Sequence, residues 1–217
     1  MTKQEITDLQ TFYKELGYYP GRVDGLWGPN SQAAADKTKA RFGDGSDLIW
    51  SAKLTVGERQ KVRHIVEKLN APASMADDLM ACMAWESGES FSPRIKNGAG
   101  SGATGLIQFM PKTAAGLGTN VDRLGKMTVM QQLDYVYLYF KPYRGRLKNL
   151  GDLYMSILWP RGIGQSDSYV LWDRVQRPTT YRQNAGLDVN RDGAITRGEC
   201  LHKVTEKYKR GRLFMAK

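Results

Sequence analysis

Glu86 closes the stretch Ser-Met-Ala-Asp-Asp-Leu-Met-Ala-Cys-Met-Ala-Trp-Glu-Ser, which runs from Ser74 to Ser87. Leu79, Met83 and Glu86 recur at helical spacing and share one face. Ser74 followed by Asp77 three residues on predicts a capping-box start, and Gly88 predicts the stop. A carboxylate on an apolar stripe, at the negative end of a helix dipole, is disfavoured when ionised. Its pKa should therefore rise, which suits a general acid working near neutral pH. A solvated glutamate at a helix end is the plain alternative, and the local pattern leaves both open.

A second group of oxygen-bearing residues lies downstream, in Asp188-Val189-Asn190-Arg191-Asp192-Gly193-Ala194-Ile195-Thr196-Arg197-Gly198-Glu199. Asp188, Asn190 and Asp192 fill positions 1, 3 and 5 of an EF-hand calcium loop, with Gly193 at 6, Ile195 at 8 and Glu199 at 12. Ala194 would offer its carbonyl and Thr196 would act through water, so a structural Ca2+ is expected. The competing reading is an empty Asx-rich loop capping the last helix, since Pro178 and Asn184-Ala185-Gly186 interrupt any long helix before it. A third group is the turn Val23-Asp24-Gly25-Leu26-Trp27-Gly28-Pro29, where Asp-Gly sets a tight turn next to an aromatic residue. Read blandly, Leu26 and Trp27 plug a helix pair.

These groups need elements to hold them. Ile6, Leu9, Tyr13 and Leu16 predict a first helix, and a second runs from about Ser31 to Phe42. Gly43-Asp44-Gly45-Ser46 reads as a linker. Residues 1–50 thus form a small module, marginal alone, and 51–217 a larger second part. That part should be mostly helical: Thr55 to Leu69, the Glu86 helix, Pro111 to Leu117, Thr128 to Phe140, Gly151 to Leu158, and Arg197 to Lys209. Asn97 to Gly105 is a loop with four glycines in nine residues. Period-2 alternation is scarce, so strands should be few and the fold class mainly α.

The 217 residues are 41% hydrophobic and 25% charged, enough apolar material for a real core. No run of about 18 apolar residues exists, and the N-terminus lacks an apolar signal-peptide core. Synthesis in the cytoplasm, with export by outside help, is the expectation. Two cysteines, Cys82 and Cys200, are too few for a disulfide framework, and Cys82 should be a small buried hydrophobe. The net charge of +10 suggests an anionic partner. Residues 1–50 carry six basic and seven acidic residues, so the excess lies entirely in the second part. Nucleic acid, an anionic membrane surface and an anionic cell-wall polymer all fit the charge; no nucleic-acid recognition motif supports the first. The basic tail from His202 to Lys217 could touch a membrane, but a solvated helix with a frayed end is the expected form.

Leu9-Gln10, Leu16-Gly17, Val23 to Gly28 and Ala33 to Phe42 together resemble, over about residues 4–42, the small helical peptidoglycan-binding module of cell-wall hydrolases. The resemblance implies that Asp24 and Trp27 contact wall peptide or glycan; the third helix usual in that module is not obvious. Trp85-Glu86-Ser87-Gly88, Phe91-Ser92-Pro93 and Ser101 to Pro111, with its Gly105-Leu106-Ile107-Gln108, resemble the soluble lytic transglycosylase and goose-type lysozyme superfamily, over roughly residues 70–205. Gln131-Gln132-Leu133-Asp134-Tyr135-Val136 resembles a further helix of its phage-endolysin branch. The third motif of that family centres on a tyrosine, and Leu153-Tyr154-Met155-Ser156 is the best match, although it departs from the commoner Ala-Tyr-Asn. The resemblance implies a lysozyme-like helical catalytic domain, Glu86 as catalytic acid, and Ser87, Gln108 and Tyr154 as substrate-binding residues. No catalytic cofactor is implied.

Most glycosidases use two carboxylates. No second one carries a motif here; Glu89, Asp122 and Asp134 are unmarked. A single carboxylate suits a lytic transglycosylase giving 1,6-anhydro ends, while hydrolysis with water stays open. The implied protein is a monomeric phage endolysin cutting between N-acetylmuramic acid and N-acetylglucosamine, lysing the host wall after release and therefore antimicrobial. A non-catalytic wall-binding virion protein is the alternative from another class.

Overall fold

The computed structural model describes residues 1–98 and 100–217; Ala99, inside the expected glycine-rich loop, lies outside the described residues. The chain is mainly helical. Helices α1 (Lys3–Glu15) and α2 (Pro29–Phe42) form the first part. Then come α3 (Val56–Lys68), α4 (Met75–Glu86), α5 (Pro111–Gly116), α6 (Val121–Leu124), α7 (Val129–Phe140), α8 (Leu150–Leu158), α9 (Pro178–Gln183) and α10 (Arg197–Gly211). The described strands are β1 (Val170–Asp173) and β2 (Ala194–Thr196), an antiparallel pair with Trp172 opposite Ile195.

Local chemistry explains most helix starts. Thr2, Thr55, Thr128 and Thr196 each close a reciprocal capping box with a Glu or Gln three residues later. The box expected at Ser74 does not form. Ser74 is itself helical (φ −59°, ψ −20°) and caps nothing. The Asp77 carboxylate instead accepts from the Ile49 N–H at 3.0 Å, a tertiary demand that outbids the local one.

The large core gathers α3, α4, α7, α8, β1, β2 and α10 around α4, whose residues Leu79 to Ala84 are all fully buried. α10 packs along α4, as does α8. Leu48, Ile49 and Trp50, expected in the first part, belong to this core. The Trp50 indole N–H donates to the Lys207 carbonyl, and its ring stacks on Phe214 at 4.6 Å. The tail is therefore not frayed: α10 continues into a 3-10 turn, and the Ala216 N–H donates to Ser51 Oγ at 2.7 Å.

A smaller core holds Phe12, Tyr13, Tyr19 and Ala34, and it also contains Met130 from α7. α3 packs on α2, and α7 on α1, where a third helix would otherwise close the module. Polar contacts lock this junction. Asp8 accepts from Thr128 Oγ1 at 2.7 Å and from Gln131 Nε2 at 2.9 Å. Lys61, almost fully buried, pairs with Asp134 at 2.6 Å. No helix among the described residues is long and apolar enough to cross a membrane.

Candidate active site

Glu86 is the last residue of α4, half-buried, with Tyr139 of α7 and Tyr154 of α8 near enough to feel its charge. Burial alone pushes its carboxyl up to about 7 from an ordinary 4.5. No charged neighbour contributes to that rise, so partial desolvation, and not a facing carboxylate, favours its protonated form. The unmarked carboxylates are all engaged elsewhere. Glu89 is held below its usual range by Lys207 at 2.6 Å, and Arg210 also binds it. Asp134 pairs with Lys61, and the exposed Asp122 faces Lys96 at 3.7 Å.

Tyr154, on α8, is 3% exposed. Its hydroxyl oxygen accepts from the Trp85 indole N–H at 3.0 Å. Desolvation first, and the Glu86 charge second, raise its pKa, so it stays a phenol. Trp85 thus spends its donor on the phenol oxygen, and the phenol keeps its own proton to give. Tyr139 is a member of this cluster that motif reading missed. It lies on α7, donates to the Ser156 carbonyl at 2.9 Å, and packs edge-on against Phe109. Its pKa is raised by burial, with smaller contributions from Tyr143 and Glu86. Its position seven residues after Gln132, on the same helix face, is the signal that could have found it.

Gln108 sits in a tight loop where Thr104 and Phe109 pair and Gly105 has φ +86°. Its amide donates to the Gly105 carbonyl at 3.2 Å and more weakly to Ile95, so it holds its own loop. The loop is anchored by Gln132, fully buried on α7. Gln132 Oε1 accepts from the Leu106 N–H at 2.7 Å, and Nε2 donates to the Leu124 and Pro93 carbonyls at 2.9 and 3.1 Å. A Cβ at Gly105 would lie 2.3 Å from that amide, so the close approach requires glycine.

Ser87 departs from the expectation of a sugar contact. It is 1% exposed, and its Oγ accepts from the Phe91 N–H at 3.0 Å. It caps α4 and folds the turn after Glu86. Three non-glycine residues in the chain after Glu86 hold left-handed backbone: Glu89 (φ 67°), Phe91 (φ 50°) and Gln108 (φ 53°). Such conformations cost on the order of 1 kcal/mol each and cluster where the surrounding structure over-determines them.

The other expected residues lie apart from Glu86. Asp24 serves its own turn: Oδ1 accepts from the Leu26 N–H at 2.9 Å and from Gln10. Gln10, fully buried, is the hub there, accepting from the Asp24 and Gly25 N–H groups and donating to the Leu26 carbonyl. Leu26 does not plug the helix pair; it is 67% exposed. Trp27 lines a cavity of about 590 Å³ between the two parts, with Tyr13, Asp36, Glu58 and Met130. Glu86 does not line it. The 188–199 loop lies between α9 and α10 and includes β2. Among the described residues no three His, Cys, Asp or Glu side chains gather as a metal cage. Both cysteines are buried and unpaired.

Residues 64–137 match the family described as Transglycosylase SLT domain. The match contains Glu86, Gln108, Gln132 and the whole loop between them, and it ends before α8 and Tyr154. No curated protein matches the chain. The domain that holds Glu86 is thus a lytic transglycosylase, lysozyme-like domain, and the protein is a glycosidase-type enzyme whose substrate is peptidoglycan.

Proposed function

We propose that the protein is a phage endolysin that cleaves the β-1,4 bond between N-acetylmuramic acid and N-acetylglucosamine, with Glu86 as its catalytic acid and base. The observation that carries this reading is the family match over residues 64–137, which contains Glu86 at the end of α4; burial, with no charged neighbour contributing, pushes its carboxyl up to about 7.

Protonated Glu86 gives its proton to the glycosidic oxygen, and the bond to C1 of the muramic residue breaks. The departing glucosamine leaves with a free 4-hydroxyl, and positive charge develops on C1 and the ring oxygen. The muramic 6-hydroxyl then attacks C1, and its proton returns to the Glu86 carboxylate. Atoms balance with no water consumed, and the product carries a 1,6-anhydro end. A carboxyl near 7 exchanges a proton in both directions at neutral pH. The Tyr154 hydroxyl supplies a fixed dipole beside Glu86, and Gln108 holds the wall of the cleft at the sugar.

Residues 1–50 serve as the wall-binding module, with Trp27 as its contact surface and Asp24 shaping the loop. Its fusion to α7 through Asp8 and Met130 supports a fixed rather than a tethered module. The basic second part suits an anionic wall in the absence of any nucleic-acid motif. The enzyme works as a monomer, is made in the host cytoplasm, and reaches the wall when a membrane-permeabilising partner releases it.

Mass analysis of glycan released from purified sacculi tests the reaction. Anhydro ends are expected. Reducing ends, each one water heavier, would replace the transglycosylase by a muramidase using the same Glu86. Intact glycan would remove the enzymatic reading.

A further inference from the structure

We propose that residues 188–199 form a Ca2+ site and that the bound ion clamps, through Arg197, the first turn of α8. The loop has the backbone such a site needs. Gly193 has φ +91°, Arg191 has φ +61°, and β2 leaves the loop antiparallel to β1. A Cβ at Gly193 would sit 3.0 Å from the Arg174 side chain, so the position tolerates little but glycine.

The side chains are half-assembled for a cation. Asp188 is 8% exposed. Its Oδ2 accepts from the Gly193 N–H at 3.1 Å and from the Tyr181 hydroxyl at 2.6 Å. Its Oδ1 is buried without a hydrogen bond of full geometry, the Arg191 N–H making a lesser contact with this carboxylate. A buried carboxylate oxygen without a donor is costly, and a hard divalent cation is the ligand that would satisfy it. Asp192 Oδ1 holds the Ala194 N–H at 2.8 Å, leaving the Ala194 carbonyl as a seventh-position ligand. Asn190 Oδ1 accepts from the Asp192 N–H at 2.9 Å and keeps a second lone pair.

Glu199 is the part that must move. Its Oε2 accepts from Thr196, closing the α10 capping box, while Oε1 accepts from the Val189 and Asn190 N–H groups at 3.1 and 3.4 Å. Binding draws this carboxylate off the loop amides. Arg174, which donates to the Tyr181 hydroxyl at 3.1 Å, adds an opposing positive charge. Three carboxylates set against these costs place the dissociation constant at roughly 10⁻⁵–10⁻³ M.

The connection to α8 is direct. Arg197 follows Thr196 in the loop and is 5% exposed. Its guanidinium pairs with Asp167 and donates to Asp152 Oδ1 and Asn149 Oδ1, each at 3.3 Å. Asn149 is the N-cap of α8, and Asp152 Oδ1 also accepts from the Gly164 N–H at 2.9 Å. A Cβ at Gly151 would lie 2.1 Å from Arg197, so the guanidinium rests on the helix backbone. An ion that fixes the loop thereby fixes Arg197 and the start of the helix bearing Tyr154. None of this depends on the reaction proposed above.

The test titrates the full chain with Tb3+, whose emission is excited through Tyr181 and Trp172, and then displaces it with Ca2+ or Mg2+. Glu199→Gln is the variant, because glutamine keeps the capping box and loses the charge. Saturable emission, displaced by Ca2+ in preference to Mg2+ and weakened tenfold or more in Glu199→Gln, is expected. A hundredfold excess of Ca2+ over its dissociation constant should raise Tm by roughly 5–10 °C. It should also slow amide exchange of residues 150–156 several-fold in the native chain and not in the variant. No saturable binding below about 10 mM Ca2+, or equal binding in Glu199→Gln, overturns the site. Binding without slower exchange in 150–156 overturns the clamp.

Discussion

Replacing Glu86 by glutamine separates what this residue does for chemistry from what it costs the fold. Glutamine keeps the volume and hydrogen-bonding reach but cannot deliver a proton, so wall lysis should fall by roughly 10²–10⁴-fold. The stability effect runs the other way and depends on pH. Burial raises the carboxyl from 4.5 to about 7, so the folded state favours the neutral acid. Stability is fully present below pH 4.5, declines as pH rises, and levels off above about 7. At about 1.36 kcal/mol per pH unit, the ionised residue costs the fold up to about 3 kcal/mol, less whatever water at this half-buried carboxyl screens. Glu86→Gln should therefore match the native chain at pH 4 and exceed it by up to that amount at pH 8.5. Urea denaturation at the two pH values measures this, beside turbidity loss of a wall suspension. Lytic activity retained by the variant, or a stability difference that does not grow with pH, would refute the argument that a dry, protonated Glu86 is the working acid.

Asp78, two turns before Glu86 on α4 and 9% exposed, is likewise raised, from 3.8 to about 7, by burial and then by Asp77. Its stability contribution is present below pH 3.8 and lost as pH rises through about 7, so Asp78→Asn should melt higher than the native chain at pH 8.5 and equally at pH 4; thermal melts decide, and equal gains at both pH values would contradict the assignment. Gln132→Leu orphans the Leu106 N–H and the Pro93 and Leu124 carbonyls. It should cost about 2–4 kcal/mol in urea and lower lytic turnover without moving the pH profile set by Glu86; a loss under about 0.5 kcal/mol would show that water replaces the amide.

Periodicity and punctuation made the helices legible. The apolar spacing and flanking turn residues placed α1 to α4, α7, α8 and α10 close to their observed bounds. Where local rules failed, a distant partner had won. Asp77 leaves Ser74 for Ile49, and Trp50 leaves the expected first module for the end of the chain, where Gly211 makes room for its indole. No local window contains the 157-residue separation between Trp50 and Lys207. The site was legible where it is linear: Glu86, the Gly105 to Gln108 turn and the Tyr154 helix could each be named. Their relations could not, because Tyr139 and Gln132 act across space from a helix whose sequence reads as ordinary core.

The two candidate site loops are pinned by one device. Gln10 on α1 and Gln132 on α7 are both fully buried, and each spends its oxygen on loop N–H groups and its nitrogen on loop carbonyls. An irregular loop brought against a core leaves backbone donors and acceptors with no ladder to join. A side chain that satisfies both must donate and accept without carrying charge, and a terminal amide does so with two N–H donors and a separate carbonyl acceptor. At Gly105 the fit leaves no room for a Cβ. The consequence for catalysis is rigidity at the right place. The turn bearing Gln108 is fixed to α7, the same helix presents Tyr139 to α8, and α8 presents Tyr154 to Glu86. The last link to α4 is made by Trp85, beside Glu86 in the chain, whose indole N–H donates to the Tyr154 hydroxyl.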